Sequence, residues 1–161
     1  PGGSWLSDPG FEDPALPAWW LITNSASGLL EAVADAPVAG LPGSRSAHLR
    51  NLDAATFCYA SQQTVCLPGV DYTLAGRYRV AGLSGVGSVT LRVRQFDAAG
   101  TLLTTRATTA LTATSWALGA VRFVSDARAR WCLVDLLMDR VAGEVWFDHL
   151  DFRPTGDGSF A

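Results

Sequence analysis

The chain has 161 residues, 48% of them hydrophobic and 17% charged, with a formal net charge of −3, which suits one globular domain able to bury its own core. No apolar run reaches the roughly 20 residues needed to cross a bilayer, so a soluble chain with no membrane partner is expected. The twelve basic residues are all Arg and are scattered; that pattern offers no field for a phosphate backbone, and nucleic acid is not an expected partner.

The chain opens Pro1-Gly2-Gly3, without an initiator Met or a basic-then-apolar leader, and is read as a processed product, an excised domain or part of a longer chain. Trp5-Leu6 and Trp19-Trp20-Leu21-Ile22 are short β-type segments on either side of a Pro- and acid-rich loop, and Leu29 to Ala34 is another short apolar run. The stretch from Ala36 to Ser46 holds two Pro and two Gly and cannot be helix; Ala47 to Leu52 then alternates like a half-buried strand. Gln63/Val65/Leu67 alternate up to a turn at Pro68-Gly69, and Tyr72/Leu74/Tyr78/Val80 alternate against Thr73/Arg77/Arg79.

A Gly-rich connection, Ala81 to Gly87, leads to Val89/Leu91/Val93 alternating against Arg92/Arg94, and Asp97-Ala98-Ala99-Gly100 reads as a tight turn. Thr101 to Thr114 contains seven Thr and favours strand. Trp116 to Val124 follows. Arg130 to Met138 is apolar on both faces, as for a central strand or one flanking a groove. After a turn at Val141-Ala142-Gly143, Glu144 to Phe152 is the closing strand, and the acid beside its aromatic pair suggests that it meets the cluster Ser7 to Glu12. Short strands punctuated by Gly and Pro, with no helical periodicity, predict an all-β, two-sheet antiparallel sandwich.

Cys58, Cys66 and Cys132 have no metal-ligand spacing. Cys58 and Cys66 on one extended strand would lie roughly 26 Å apart, too far for a bridge without a bend; pairing of either with Cys132, or three buried free thiols, both remain open.

Three stretches together, Asp8-Pro9-Gly10-Phe11-Glu12, Ser61-Gln62-Gln63-Thr64-Val65 continuing through Leu67-Pro68-Gly69-Val70-Asp71-Tyr72 to Arg77, and Val145-Trp146-Phe147-Asp148-His149, resemble the jelly-roll carbohydrate-binding modules of the galactose-binding-like superfamily. The resemblance covers residues 5–153, leaving 1–4 as a linker or processed terminus and 154–161 as a tail expected to be mobile. It implies a jelly roll and a non-catalytic module that binds a polysaccharide or other glycan, with an extracellular location. A structural or adhesive domain contacting other subunits of a virion, fibre or cell surface is the alternative, because this scaffold serves both purposes.

The resemblance also implies a structural Ca²⁺ where first and last strands meet. Glu12 and Asp148 would supply carboxylates, with loop oxygens near Asp8 and Ser46 completing an all-oxygen shell. His149 stands where the family usually has a second Asp. A glycan site needs exposed rings and hydrogen-bonding side chains; the candidates are Trp131, Asp135, Arg77, Arg94, Arg92, Tyr59, Gln62 and Trp19, with Trp20 and Arg79 beside them and Trp146 expected in the core. Asp135 has a plainer alternative as an Arg partner, and an Arg-rich groove would favour an acidic glycan. The only two His, His48 and His149, sit in strand patterns, no hydrolase or nucleotide motif is present, and catalysis is not expected.

Overall fold

The structure, a computed structural model, describes residues 4–6, 11, 20–23, 28–33 and 45–156. Eight strands lie among them: β1 (Leu21–Thr23), β2 (Gly28–Val33), β3 (Ser46–Asn51), β4 (Phe57–Val65), β5 (Asp71–Phe96), β6 (Leu102–Ala107), β7 (Ala117–Val124) and β8 (Trp131–Pro154). All pairings are antiparallel, giving the expected all-β jelly-roll sandwich.

Two strands are long enough to belong to both layers. The first half of β8 and the second half of β5 pair with each other (Arg92↔Asp135, Arg94↔Leu133). With β4 and β1 on one side and β6 on the other, they make the first layer. The second half of β8 and the first half of β5 (Arg79↔Trp146, Leu74↔Phe152), flanked by β3 and β2 and by β7, make the second layer. The Gly-rich stretch after Ala81 is therefore not a connection between two strands, nor is Val141-Ala142-Gly143 a turn. Both are bends within continuous strands, produced by register shifts at Ala81/Ser84 and Gly85/Ser88 that add residues on the β5 side; each extra residue bends and twists its strand.

Glycine is required at two of these positions. Gly143 sits at φ 129°, with the carbonyl oxygen of Gly82 2.8 Å from where a Cβ would be. At Gly87 a Cβ would overlap the Asp139 carbonyl. The β5–β8 crossing can close only with a bare backbone there.

The core lies between the layers. Leu91, Val93, Val134, Leu136 and Met138 from the first face Tyr72, Leu74, Val145, Phe147 and Phe152 from the second, all almost wholly buried. Each aliphatic or aromatic side chain so buried contributes about 1.5–3 kcal/mol. Tyr72 stacks on Phe152 with centroids 5.0 Å apart, and Trp5 meets Tyr72 edge-on at 5.5 Å. Trp5 N–H also donates to the Phe152 carbonyl at 2.9 Å and Phe152 N–H to Ser4 Oγ at 3.2 Å, so Ser4 and Trp5 lie against the closing strand; of the cluster Ser7 to Glu12 expected there, all but Phe11 lie outside the described residues. Trp20 is core, packed 5.6 Å from Phe11.

Some local readings change and others hold. The Thr-rich run is strand only over β6. Asp97–Gly100 is a turn in which Asp97 Oδ1 accepts from Ala99 N–H and Thr101 N–H, each at 2.9 Å. β8 continues to Pro154, and Thr155 beyond it is tied to Asp71 by its N–H at 2.7 Å and its hydroxyl at 2.9 Å. All three cysteines are free and fully buried. Burial pushes the Cys58 thiol up to about 11, consistent with its place as a small apolar side chain.

Candidate functional site

Strand alternation decides which side chains the first layer turns outward. In β4, Cys58, Ala60 and Gln62 share register with the core residues Met138, Leu136 and Val134, so Phe57, Tyr59, Ser61 and Gln63 stand on the opposite, outer face. By the same rule β8 presents Trp131, Leu133, Asp135, Leu137 and Asp139 there, and β5 presents Arg92, Arg94 and Phe96.

Asp135 is the centre of this face. Its side chain is 0% exposed. Oδ2 accepts from Arg92 Nε at 2.7 Å and from Arg94 Nε at 2.7 Å, while Oδ1 accepts from Arg94 Nη2 at 2.9 Å. An isolated carboxylate could not remain charged without water; two guanidiniums from the neighbouring strand replace its hydration. The same hydrogen bonds hold the Arg94 guanidinium above its ordinary value against the opposing effect of desolvation. Both Arg heads lie over the Tyr59 ring, 5.1 and 5.0 Å from its centroid, an arrangement of cation on π-face that adds to the pairing. Phe57 stacks on Tyr59 at 5.8 Å and 19° and is itself 46% exposed.

Phe57, Tyr59, Arg92, Arg94, Leu137 and Asp139 enclose a shallow groove of about 250 Å³. That is below the roughly 300–1,000 Å³ of an enclosed small-molecule site, so the groove suits part of a longer ligand lying across the face. At the other end of the same face Trp131 stacks on Phe96, centroids 4.2 Å apart and 9° from parallel. From Leu137 to Trp131 is six residues along β8, about 20 Å at ~3.3 Å per residue.

The structure therefore brings together Tyr59, Arg92, Arg94 and Asp135, with Trp131 further along the same face. Asp135 is wholly engaged as an Arg partner and offers no oxygen at the surface. Gln62 does not join them: three residues from Tyr59, it has the opposite strand parity and is buried on the core side. Arg77 does not join them either. It lies opposite Asp148 in the second layer, and the bend in β5 puts the outward side chains of that layer on the other side of the sandwich. Arg77, a candidate for the glycan site, is thereby separated from the face that carries Trp131, Arg94 and Asp135. Trp19 lies outside the described residues. Phe57, Leu137 and Asp139 were missed, although running the Tyr59/Ser61 alternation back by two residues and across the sheet would have reached Phe57.

The outer face of the second layer is differently furnished. Trp146, expected in the core, stands half-buried on this face. His48 stacks on one side of its ring at 4.7 Å and the Arg79 guanidinium lies 3.7 Å from the ring centroid. His48 is held between Glu31 at 2.9 Å and Glu144 at 3.0 Å. With His48 and Arg79 already packed on its ring, Trp146 makes a poor sugar platform.

Asp148 is fully buried and accepts from His149 N–H at 2.8 Å. His149 is the extra residue of a bulge, where Ala75↔Asp151 and Arg77↔Asp148 leave three β8 steps against two of β5; it has φ 49°, and its Nε2 lies 3.5 Å from Asp148 Oδ2. One step beyond the pair Ala47↔Phe147, Ser46 falls beside Asp148, buried, and its Oγ has no hydrogen-bond partner among the described residues. A buried carboxylate beside an unused buried hydroxyl is a donor set that fits a hard cation such as Ca²⁺. Glu12 and Asp8 lie outside the described residues, among which no group of three or more His, Cys, Asp or Glu is arranged to hold a metal ion.

Removing the Asp135 carboxylate would leave two guanidiniums facing each other across a nearly dry site. Their side chains are 21% and 19% exposed, which places the cost at the lower end of that for breaking a buried ion pair, about 3 kcal/mol. Urea denaturation of Asp135→Ala is expected to show that loss; a change under about 1 kcal/mol would mean that the cluster is an ordinary surface pair.

Comparison with protein-family models finds no match, and no curated protein matches the sequence. Solved structures share the fold. The enzymatically active domain of bacteriophage CBA120 tailspike protein 4 superposes with a TM-score of 0.73 at 15% identity over 94% of this chain and 21% of that chain, so the present chain spans about a fifth of that protein. A CBM4 module superposes with a TM-score of 0.67 at 16% identity, covering 93% of this chain and 99% of that one. The CBM22-1 xylan-binding domain of Paenibacillus barcinonensis Xyn10C gives 0.65 at 13% identity, with 98% of each chain covered. The architecture is that of the jelly-roll carbohydrate-binding modules.

Proposed function

We propose that this chain is a non-catalytic carbohydrate-binding domain that seats a polysaccharide on the outer face of its first layer. The observation carrying the reading is the groove of Phe57, Tyr59, Arg92, Arg94, Leu137 and Asp139. It combines an exposed ring able to stack on a pyranose face with hydrogen-bond donors fixed in place by a buried carboxylate. The Arg heads do not need to be ordered when ligand arrives, because Asp135 has already ordered them. Likeness in fold to CBM4 and to a xylan-binding CBM22 module supports the same reading, as does the near-complete coverage of those modules by this chain. A secreted or surface location belongs with this function.

A structural or adhesive role in a surface assembly is the second reading. It draws on the tailspike likeness and on the exposed apolar side chains Leu21 and Val65 carried by the same layer. Under it the face would be covered by another subunit.

Affinity electrophoresis through gels containing xylan, glucomannan, galactan or acidic polysaccharides separates the two. Wild type is expected to be retarded by at least one polymer. Phe57→Ala and Tyr59→Ala should each lower affinity about tenfold, in line with about 1–2 kcal/mol for a lost ring contact. Free migration in every gel, together with self-association in solution, would favour the structural role and remove the binding one.

Within the same reading, Asp148 and Ser46, with Glu12 and Asp8 as further donors, would hold a Ca²⁺ that staples the closing strand to the early loop. The ion would be structural and would take no part in ligand binding. Adding millimolar Ca²⁺ to chelator-treated protein should raise Tm by several degrees, by mass action on the folded state. An unchanged Tm rules the ion out.

A further inference from the structure

The ion cluster under the groove is net positive. Arg92 and Arg94 share one carboxylate, Asp135, which leaves that cluster one positive charge on a chain whose net charge is −3. The other groove carboxylate, Asp139, lies 3.7 Å from Arg140 outside the groove. The cluster's surplus is localised by the bonding pattern. Arg94 uses Nε and Nη2 on Asp135, whereas Arg92 uses Nε alone, and no hydrogen bond to Nη1 or Nη2 of Arg92 occurs among the described residues. Those two nitrogens carry four N–H donors on a side chain that is 21% exposed and lines the groove beside Tyr59.

We infer, on the premise that the groove is a glycan site, that its ligand is an acidic polysaccharide and that a uronate carboxylate takes the free end of Arg92. A planar carboxylate matches the guanidinium fork, with two parallel N–H···O bonds possible from one head. Desolvating Arg92 under a neutral sugar would leave its donors to hydroxyls, whose acceptor strength is lower; a carboxylate also neutralises the surplus charge. The Phe57–Tyr59 stack beside Arg92 gives the uronate ring an apolar surface, so ring and charge are recognised by adjacent groups. Asp135 has no part in the contact with ligand: its role is to fix the direction in which Arg92 points.

The test is titration calorimetry of the 161-residue chain against polygalacturonate, alginate and glucuronoxylan. The neutral partners are the carboxyl-reduced form of each polymer. At least one acidic polymer is expected to bind about tenfold or more tightly than its reduced counterpart, the ratio that one charge-assisted pair supplies. The preference should shrink as sodium chloride is raised from 50 to 500 mM. Arg92→Gln, which leaves Arg94 on Asp135, should lower affinity for the acidic polymer about tenfold or more, further than it lowers affinity for the reduced form, and so abolish the preference. Binding of neutral polymers as tightly as acidic ones would overturn this inference and leave the glycan-binding function standing. Binding of no polymer would overturn both, and an acidic preference that survives Arg92→Gln would overturn the assignment to Arg92.

Discussion

The pairing of β5 with β8 is the constraint on which the rest of the molecule depends. The two strands run side by side through both layers. Among the described residues every other strand is bonded to one of them or hangs from a strand that is: β4 and β3 on β8, β6 and β7 on β5, β1 on β4 and β2 on β3. A sheet that passes from one layer to the next without a break avoids exposing edges at the corner. The requirement it imposes is a sharp bend in two adjacent strands at once, met by bulges and by glycines whose missing Cβ lets carbonyls approach.

That bend also makes the functional face. It sends the outward side chains of β5 to opposite sides of the sandwich, Arg92 and Arg94 on one side and Arg77 and Arg79 on the other. On the first, the Arg heads converge on Asp135 beneath Tyr59 and Phe57. On the second, Arg79 packs on Trp146 and His48 is held by Glu31 and Glu144. Both faces mix aromatic rings and charges, yet their chemistry differs: one ion cluster leaves donors unused beside an exposed ring, while the other has already packed a cation and an imidazole on its central indole. A buried charge is no guarantee of stability in itself. Here Asp135 acts mainly by holding two long, otherwise mobile side chains in a single geometry, which lowers the entropy that a ligand must overcome.

The sequence makes the layers and the strand faces legible wherever alternation is strict. Tyr72/Leu74/Tyr78/Val80 and Val89/Leu91/Val93 are core as their pattern indicates, and the fold class follows from that and from the absence of helical periodicity. Continuity of β5 and β8 was hidden because glycines in a strand and glycines in a loop look the same along the chain; only the partner strand reveals which is meant. Residue parity accounts for the site. Tyr59 and Gln62 cannot share a face of a strand, while Arg92, Arg94 and Asp135 can, once Arg92↔Asp135 are paired. Arg77 also faces outward, but in the other layer, a distinction that depends on the bend and its register shifts. Phe57 was overlooked because it opens its strand, where alternation is too short to read. Trp146 looked like core because tryptophan in an apolar strand usually is; its polar neighbours come from β3 and β5, distant in sequence.

The most direct test of the account is the map of backbone amide chemical-shift changes in isotopically labelled protein titrated with an oligosaccharide of whichever polymer binds. Changes concentrated at Phe57, Tyr59, Arg92, Arg94 and Leu137, with Arg77, Arg79 and Trp146 still, are expected for a ligand seated on the first layer. Changes concentrated on the second layer, or in the loops at the ends of the sandwich with the first-layer face unmoved, would contradict it.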